Sequence, residues 1–308
     1  MTALDFFEIL VHDWRLLMRK RKDLFWYLLF VLPLTLVFIS VVIIPFFMGI
    51  GYSFFSWDGM PLNPKIYVSF ENYIKLFSDE RFITSAYHTL YYTVLAVVVI
   101  NILGFAFALI VTSKLKLRNL GRTMLFMPYL IGGLILGYIW KFIFSDMMRS
   151  LGEMTGMTDI FFNWLTDPDL ALLAIVIVST WQMAGYVMII YITGIQSIPE
   201  DVIEAGKVDG AGFWHLLVHI KLPMIMQSIT ICLFLTLSMS FKIFDVNFSL
   251  TGGGPNNATE MFAMNIYNEI FSLNNYGYGQ AKAMIFFIIV AVITLVQVAI
   301  TKKKEVSM

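Results

Sequence analysis

The sequence predicts an all-α integral membrane protein with six transmembrane helices and both termini in the cytoplasm. Three observations predict it. Of the 308 residues, 59% are hydrophobic and 14% charged, with a mean hydropathy of +0.78, too little charge to cover a water-soluble surface. The apolar residues fall into six blocks, roughly 25–50, 86–113, 122–145, 170–194, 223–247 and 281–301. Each is near the length of about 20 residues that a helix needs to cross a bilayer. The basic residues are also one-sided. Segments 1–22, 114–122, 195–222 and 302–308 hold 14 of the 21 Lys and Arg residues, which places all four on the cytoplasmic face. The opposite loops keep Lys65, Lys75, Arg81 and Arg149 and are rich in acids such as Asp58, Glu71, Asp79 and Asp167.

Other classes are excluded on the same evidence. The blocks do not alternate polar and apolar residues, so they are not barrel strands. The formal net charge is zero, which gives no basis for nucleic-acid binding. The lone Cys232 reads as a small packing residue. The first apolar block is long and no small-residue cleavage site follows it, so it is expected to be a span and not a signal peptide.

In chain order, residues 3–18 mix Phe6, Phe7, Ile9, Leu10, Trp14 and Leu17 with charges, the pattern of a helix lying on the membrane surface. The chain thus divides into an amphipathic segment, 1–23, a transmembrane domain, 24–301, and a basic tail, 302–308. Outer segments 51–85, 146–169 and 250–280 are too long for simple turns. The last begins Thr251-Gly252-Gly253-Gly254-Pro255, which breaks any helix. Its aromatics Phe262, Tyr267, Phe271, Tyr276 and Tyr278 favour a docking or gate-packing role over a bare linker.

The cytoplasmic loop 196–223 is the most polar-patterned stretch of the second half. Ser197 and Glu200 are spaced as a capping box with Pro199 between them, so a helix should run over 198–208. Gly210 can end it and Asp209 can bond the turn. A second helix should follow over 212–221, with Phe213, Trp214, Leu217 and Ile220 on its apolar side, and Pro223 starts the next span. The small residues Ala205, Gly206, Gly210 and Ala211 allow another surface to come close. The pattern alone fits a self-contained loop as well as a docking element.

Glu204-Ala205-Gly206, then Asp209-Gly210-Ala211, then Ile220-Lys221-Leu222-Pro223 resembles the EAA loop of binding-protein-dependent ABC importer permeases. Gly206 stands where the family has Ala, and Leu217 where it often has Phe. The likeness extends over nearly the whole chain. Arg122-Thr123, Phe126 with Pro128-Tyr129, and Trp140-Lys141 resemble the third span of carbohydrate permeases. Phe241-Lys242-Ile243-Phe244-Asp245 followed by Leu250 to Pro255 resembles the first-permease branch of the maltose, multiple-sugar and glycerol-phosphate class. Tyr276 to Ala281 is similar to the start of its last span, with Gly279 a departure.

The resemblance implies a type I ABC importer permease fold in a bacterial plasma membrane. It implies a second six-helix permease as partner, two ATPase subunits, an extracellular solute-binding protein and a sugar substrate. ATP and Mg would be bound by the ATPase, against which Glu204, Ala205, Gly206, Asp209, Gly210, Ala211 and Pro223 would form the coupling loop. The chain has no Walker-type sequence, no catalytic residues and no expected metal or cofactor of its own.

Sugars are held by hydrogen-bonding side chains and aromatic faces. Ser179, Gln182 and Tyr186 share a helical face of the fourth span, and Thr236 and Ser240 share one on the fifth. The positions matching the family's sugar contacts are Ser179, Gln182, Met183, Tyr186, Thr236 and Ser240; the plain alternative is helix packing. Asn101 and Gly104 read as packing residues. Lys242 and Asp245, three apart, read as an ion pair first and a sugar or gate contact second. His88, His215 and His219 show no ligand partners in the sequence. The rival cargo is glycerol phosphate, a polyol or a peptide. The rival class is an ATP-independent secondary transporter, which would show paired intramembrane acids or an internal repeat. Asp245 is the one acid inside the six blocks.

Overall fold

A bilayer core offers no water to backbone N–H and C=O groups, so apolar runs must satisfy them internally as helices. The structure, a computed structural model, describes residues 26–113 and 117–303. The amphipathic segment expected over 1–23 and most of the basic tail lie outside the described residues. The chain forms α1 (Trp26–Tyr52), α2 (Glu80–Thr112), α3 (Arg118–Leu130), α4 (Gly133–Thr155) and α5 (Pro168–Gln196). There follow α6 (Glu200–Val208), α7 (Phe213–Met224), α8 (Met226–Phe241), α9 (Asp245–Leu250) and α10 (Tyr276–Lys302).

Helices α1, α2, α5 and α10 are each continuous and long enough to cross a membrane. The block at 122–145, expected as one span, is bent, and a second bend falls near Pro223, where the loop helix is expected to give way to the next span. The angle is 96° between α3 and α4 and 72° between α7 and α8. Pro128 and the extended backbone of Ile131 and Gly132 open the first bend. At the second, Pro223 cannot donate to the helix ladder and Ile225 leaves the helical region. Counting each bent pair as one span gives up to six crossings.

Side-chain caps fix where two of the long helices begin. The Asp79 carboxylate accepts the Phe82 N–H at 3.0 Å before α2, and Asp167 accepts the Asp169 and Leu170 N–H groups before α5. The core lies mainly between α2 and α5, with Ala96, Ile100, Ala108, Ile175, Val178, Val187 and Met188 all buried. Gly104 lets the two backbones approach, since a Cβ there would lie 2.7 Å from Val187 Cγ1. Asn101 donates to Thr236 Oγ1 on α8 (3.0 Å) and accepts from Tyr191 on α5 (2.8 Å), so both residues serve packing. In contrast, α1 leaves most of its apolar side chains exposed, as suits a lipid-facing helix.

Tyr92 with Ser179 and Asn101 with Tyr191 pair residues that advance together along α2 and α5, so these helices run parallel. The start of α10 is tied to the start of α2 by an ion pair between Lys282 and Asp79 (2.9 Å). The chain therefore leaves α2, α5 and α10 at one common end, where α6 and α7 lie. The other end carries a short antiparallel pairing of Phe55 with Tyr67 and Ser56 with Ile66 and the 250–275 segment.

That segment packs against the starts of α2 and α10. Phe262 and Tyr278 are buried with Leu76 and Phe82, and Tyr276 sits against Tyr52 and Trp57. Charges also hold it. Arg81 donates two hydrogen bonds of 2.7 Å to the buried Glu260 carboxylate. Lys282, fully buried, contacts Glu269 at 2.7 Å, Asp79 at 2.9 Å and Asn265 at 3.0 Å. Burial works against ionising Asp79, but hydrogen bonds from Lys282, the Phe82 N–H and Tyr278 outweigh it and hold the carboxyl below its ordinary value of 3.8.

Candidate functional site

Two places in the fold collect the residues singled out in the sequence. The first is a cavity of about 290 Å³ between α2, the α3–α4 bend, α5 and α8. Ser179, Gln182, Met183, Thr236 and Ser240 all line it. Tyr186 does not. It stacks instead on Tyr129, which does line the cavity, with ring centroids 4.4 Å apart and planes 14° apart.

The bend in α3–α4 and the break after α8 shape this cavity. Gln182 donates to the free carbonyl of Ile131 at the bend (2.9 Å), so the cavity wall also satisfies the broken helix. Ser179 donates to the Ile175 carbonyl and Thr236 to that of Cys232, each within its own helix. Thr236 Oγ1 also accepts from Asn101 (3.0 Å), which leaves it one lone pair, and Ser179 and Thr236 are both buried.

The expected Lys242–Asp245 ion pair is absent among the described residues. Its three-residue spacing presumed a continuous helix, whereas α8 ends at Phe241 and α9 begins at Asp245, with Phe244 outside the helical region between them. Both exposed charges line the cavity instead. So does Tyr92 of α2, which the sequence reading passed over. Its place nine residues, about two and a half turns, before Asn101 on the same helix was the available signal. Lys282 was missed too, because it opens a long apolar block and its acidic partners come from distant segments.

The second place is the loop made by α6 and α7. Its first helix begins at Glu200, but the capping box does not form. Ser197 closes α5 and donates back to the Gly194 carbonyl (2.8 Å), leaving Pro199 at the cap position with no side-chain bond. The C-terminus is a Schellman turn. The Ala211 N–H reaches the Gly206 carbonyl (2.9 Å) and the Gly210 N–H that of Lys207 (3.0 Å), with Gly210 at φ +83°. Asp209 joins the turn through its backbone N–H to Ala205 and makes no side-chain hydrogen bond.

Glu204, Ala205 and Asp209 are exposed, Ala211 and Pro223 half-buried, and Gly206 buried. A Cβ on Gly206 would lie 2.7 Å from Ile220 and 2.9 Å from Leu216 at their side-chain ends. That contact packs α6 on α7. Leu216 and Leu217 form the buried side of α7, while Phe213 and Trp214, expected there, are exposed. With Val208, 87% exposed, they leave apolar surface beside Glu204. Among the described residues, no group of three or more His, Cys, Asp or Glu side chains could hold a metal ion.

Known proteins share both sequence and fold. A family described as the inner membrane component of binding-protein-dependent transport systems matches residues 100–306. A probable starch degradation products transport system permease protein, AmyD of Thermoanaerobacterium thermosulfurigenes, is 45% identical over 93% of this chain and 97% of its own length. The multiple sugar-binding transport system permease protein MsmF of Streptococcus mutans is 31% identical over 94% of this chain and 99% of its own. The crystal structure of a bacterial ABC transporter that imports the acidic polysaccharide alginate contains a chain of the same fold. It has a TM-score of 0.80 at 21% identity, covering 94% of this chain and 99% of that one. The chain belongs to the family of inner membrane components of binding-protein-dependent transport systems, and is a helical, non-catalytic ABC transporter permease.

Proposed function

We propose that this chain is one of two six-span permeases in an ATP-driven importer for a sugar or oligosaccharide, with both termini and the α6–α7 loop in the cytoplasm. One observation carries the reading. Five of the six positions that match the family's sugar contacts converge on one cavity, in a chain whose relatives are named for sugar transport. Hydroxyls, an amide and the Tyr129 ring suit a polyhydroxylated, mostly neutral substrate.

In this reading an extracellular solute-binding protein delivers the sugar. Two ATPase subunits bind ATP and Mg. Their closure is carried into the spans through Glu204, Ala205, Gly206, Asp209, Gly210, Ala211 and Pro223. Glu204 and the neighbouring exposed apolar side chains meet the ATPase, and the close α6–α7 packing at Gly206 makes the loop move as one body. Substrate contact falls to Ser179, Gln182, Met183, Thr236 and Ser240, with Tyr186 holding Tyr129. A phosphorylated polyol is the second reading, favoured by Lys242, which lines the cavity without an ion-pair partner among the described residues.

Co-purification of an ATPase with the chain, and loss of uptake in Glu204→Arg, are expected. Intact uptake in that variant with no ATPase bound would sink the importer reading. Titrating the cognate solute-binding protein with mono-, di- and oligosaccharides and with glycerol phosphate separates the two cargoes.

A further inference from the structure

We propose that His215 and His219, on the α6–α7 loop, form a binding site for a late first-row divalent transition-metal ion. The local backbone creates the pair. Within α7, residues Leu216–Lys221 form a π-helical turn. Closing hydrogen bonds at i→i+5 puts more than four residues in each turn, so side chains four apart lie almost above one another. The two imidazoles accordingly stack with centroids 4.3 Å apart and planes 20° apart. Both are exposed.

Two histidines four apart on one helical face supply two ligands of a zinc-type site. Imidazole selects zinc, copper or nickel ions over magnesium or calcium, which take oxygen ligands. No third His, Cys, Asp or Glu joins them among the described residues, so water or a docked chain fills the remaining positions. The ion is therefore exchangeable and not a folding requirement. Bridging the rings would fix the wide turn in register. Leu216 and Ile220 of that turn are the residues packed on Gly206, so the constraint reaches α6 directly. Binding itself does not rest on the importer reading; only its effect on coupling does.

The test is calorimetric titration of the full chain, purified in detergent without a polyhistidine tag, with NiCl2 and then ZnCl2. One Ni2+ per chain is expected, lost in His215→Ala and in His219→Ala and kept in His12→Ala and His88→Ala. MgCl2 should give no binding. Circular dichroism confirms that the variants fold, which the exposure of His215 and His219 allows for the two loop variants. No Ni2+ binding by the parent, unchanged binding in either loop variant, or loss on substituting His12 or His88 overturns the proposal.

Discussion

Gly185 and Gly206 both lie where a Cβ has no free space, but what it would meet differs. At Gly185 it would strike the Leu125 carbonyl and lie 2.9 Å from Phe126 Cα, so backbone would have to move. Gly185→Ala is expected to lower stability by about 1–3 kcal/mol. At Gly206 the obstacles are the ends of two flexible side chains, and the helical preference of Ala over Gly returns about 0.5–1 kcal/mol. Gly206→Ala should therefore unfold close to the parent. Thermal unfolding in detergent checks both. Lys282 is the other decisive residue. Lys282→Met leaves the Asp79 and Glu269 carboxylates without their buried cation and should cost about 3–5 kcal/mol, partly recovered by adding Glu269→Gln. Because the Asp79 pKa is lowered in the folded state, its contribution is fully present above pH 3.8. It is lost as the pH falls through the depressed value. An acid unfolding titration should show that loss in the parent and not in Asp79→Asn. The Lys282 network was not legible in the sequence, since Lys282 hides in an apolar block and its acidic partners come from distant segments.

The six apolar blocks were legible as elements because length and hydropathy mark them directly. Their straightness was not. Pro128 and Gly132 are visible breakers, but a count of apolar residues smooths over them, and a bend depends on who accepts the freed backbone groups. Gln182 does so for Ile131, from a helix 51 residues away. The same logic explains the missing Lys242–Asp245 pair, whose spacing is helical only if the helix continues. In the α6–α7 loop Gly210 was read correctly from its type alone, because a Schellman turn needs a positive φ there. Gly210→Val forces a β-branched residue into that region at a cost of about 1–2 kcal/mol. It should reduce ATP-driven uptake, whereas Gly210→Asn, which tolerates the conformation, should retain most of it. Uptake assays at matched membrane levels distinguish the two.

At the scale of the molecule, the parallel run of α2, α5 and α10 brings the chain out at one end after each, and the basic segments follow all three. The cavity lies between α2, the α3–α4 bend, α5 and α8, and the α6–α7 loop sits at the exit of α2 and α5, so a push on the loop acts at the base of two helices that wall the cavity. The account turns on that linkage. Its most direct test is uptake of a labelled oligosaccharide into proteoliposomes holding the chain with its partner permease and ATPase, with the solute-binding protein outside and ATP sealed inside. The account predicts uptake that requires internal ATP and falls to background in Glu204→Arg while the binding protein still holds its sugar. Uptake without ATP, or unchanged uptake in Glu204→Arg, would contradict it.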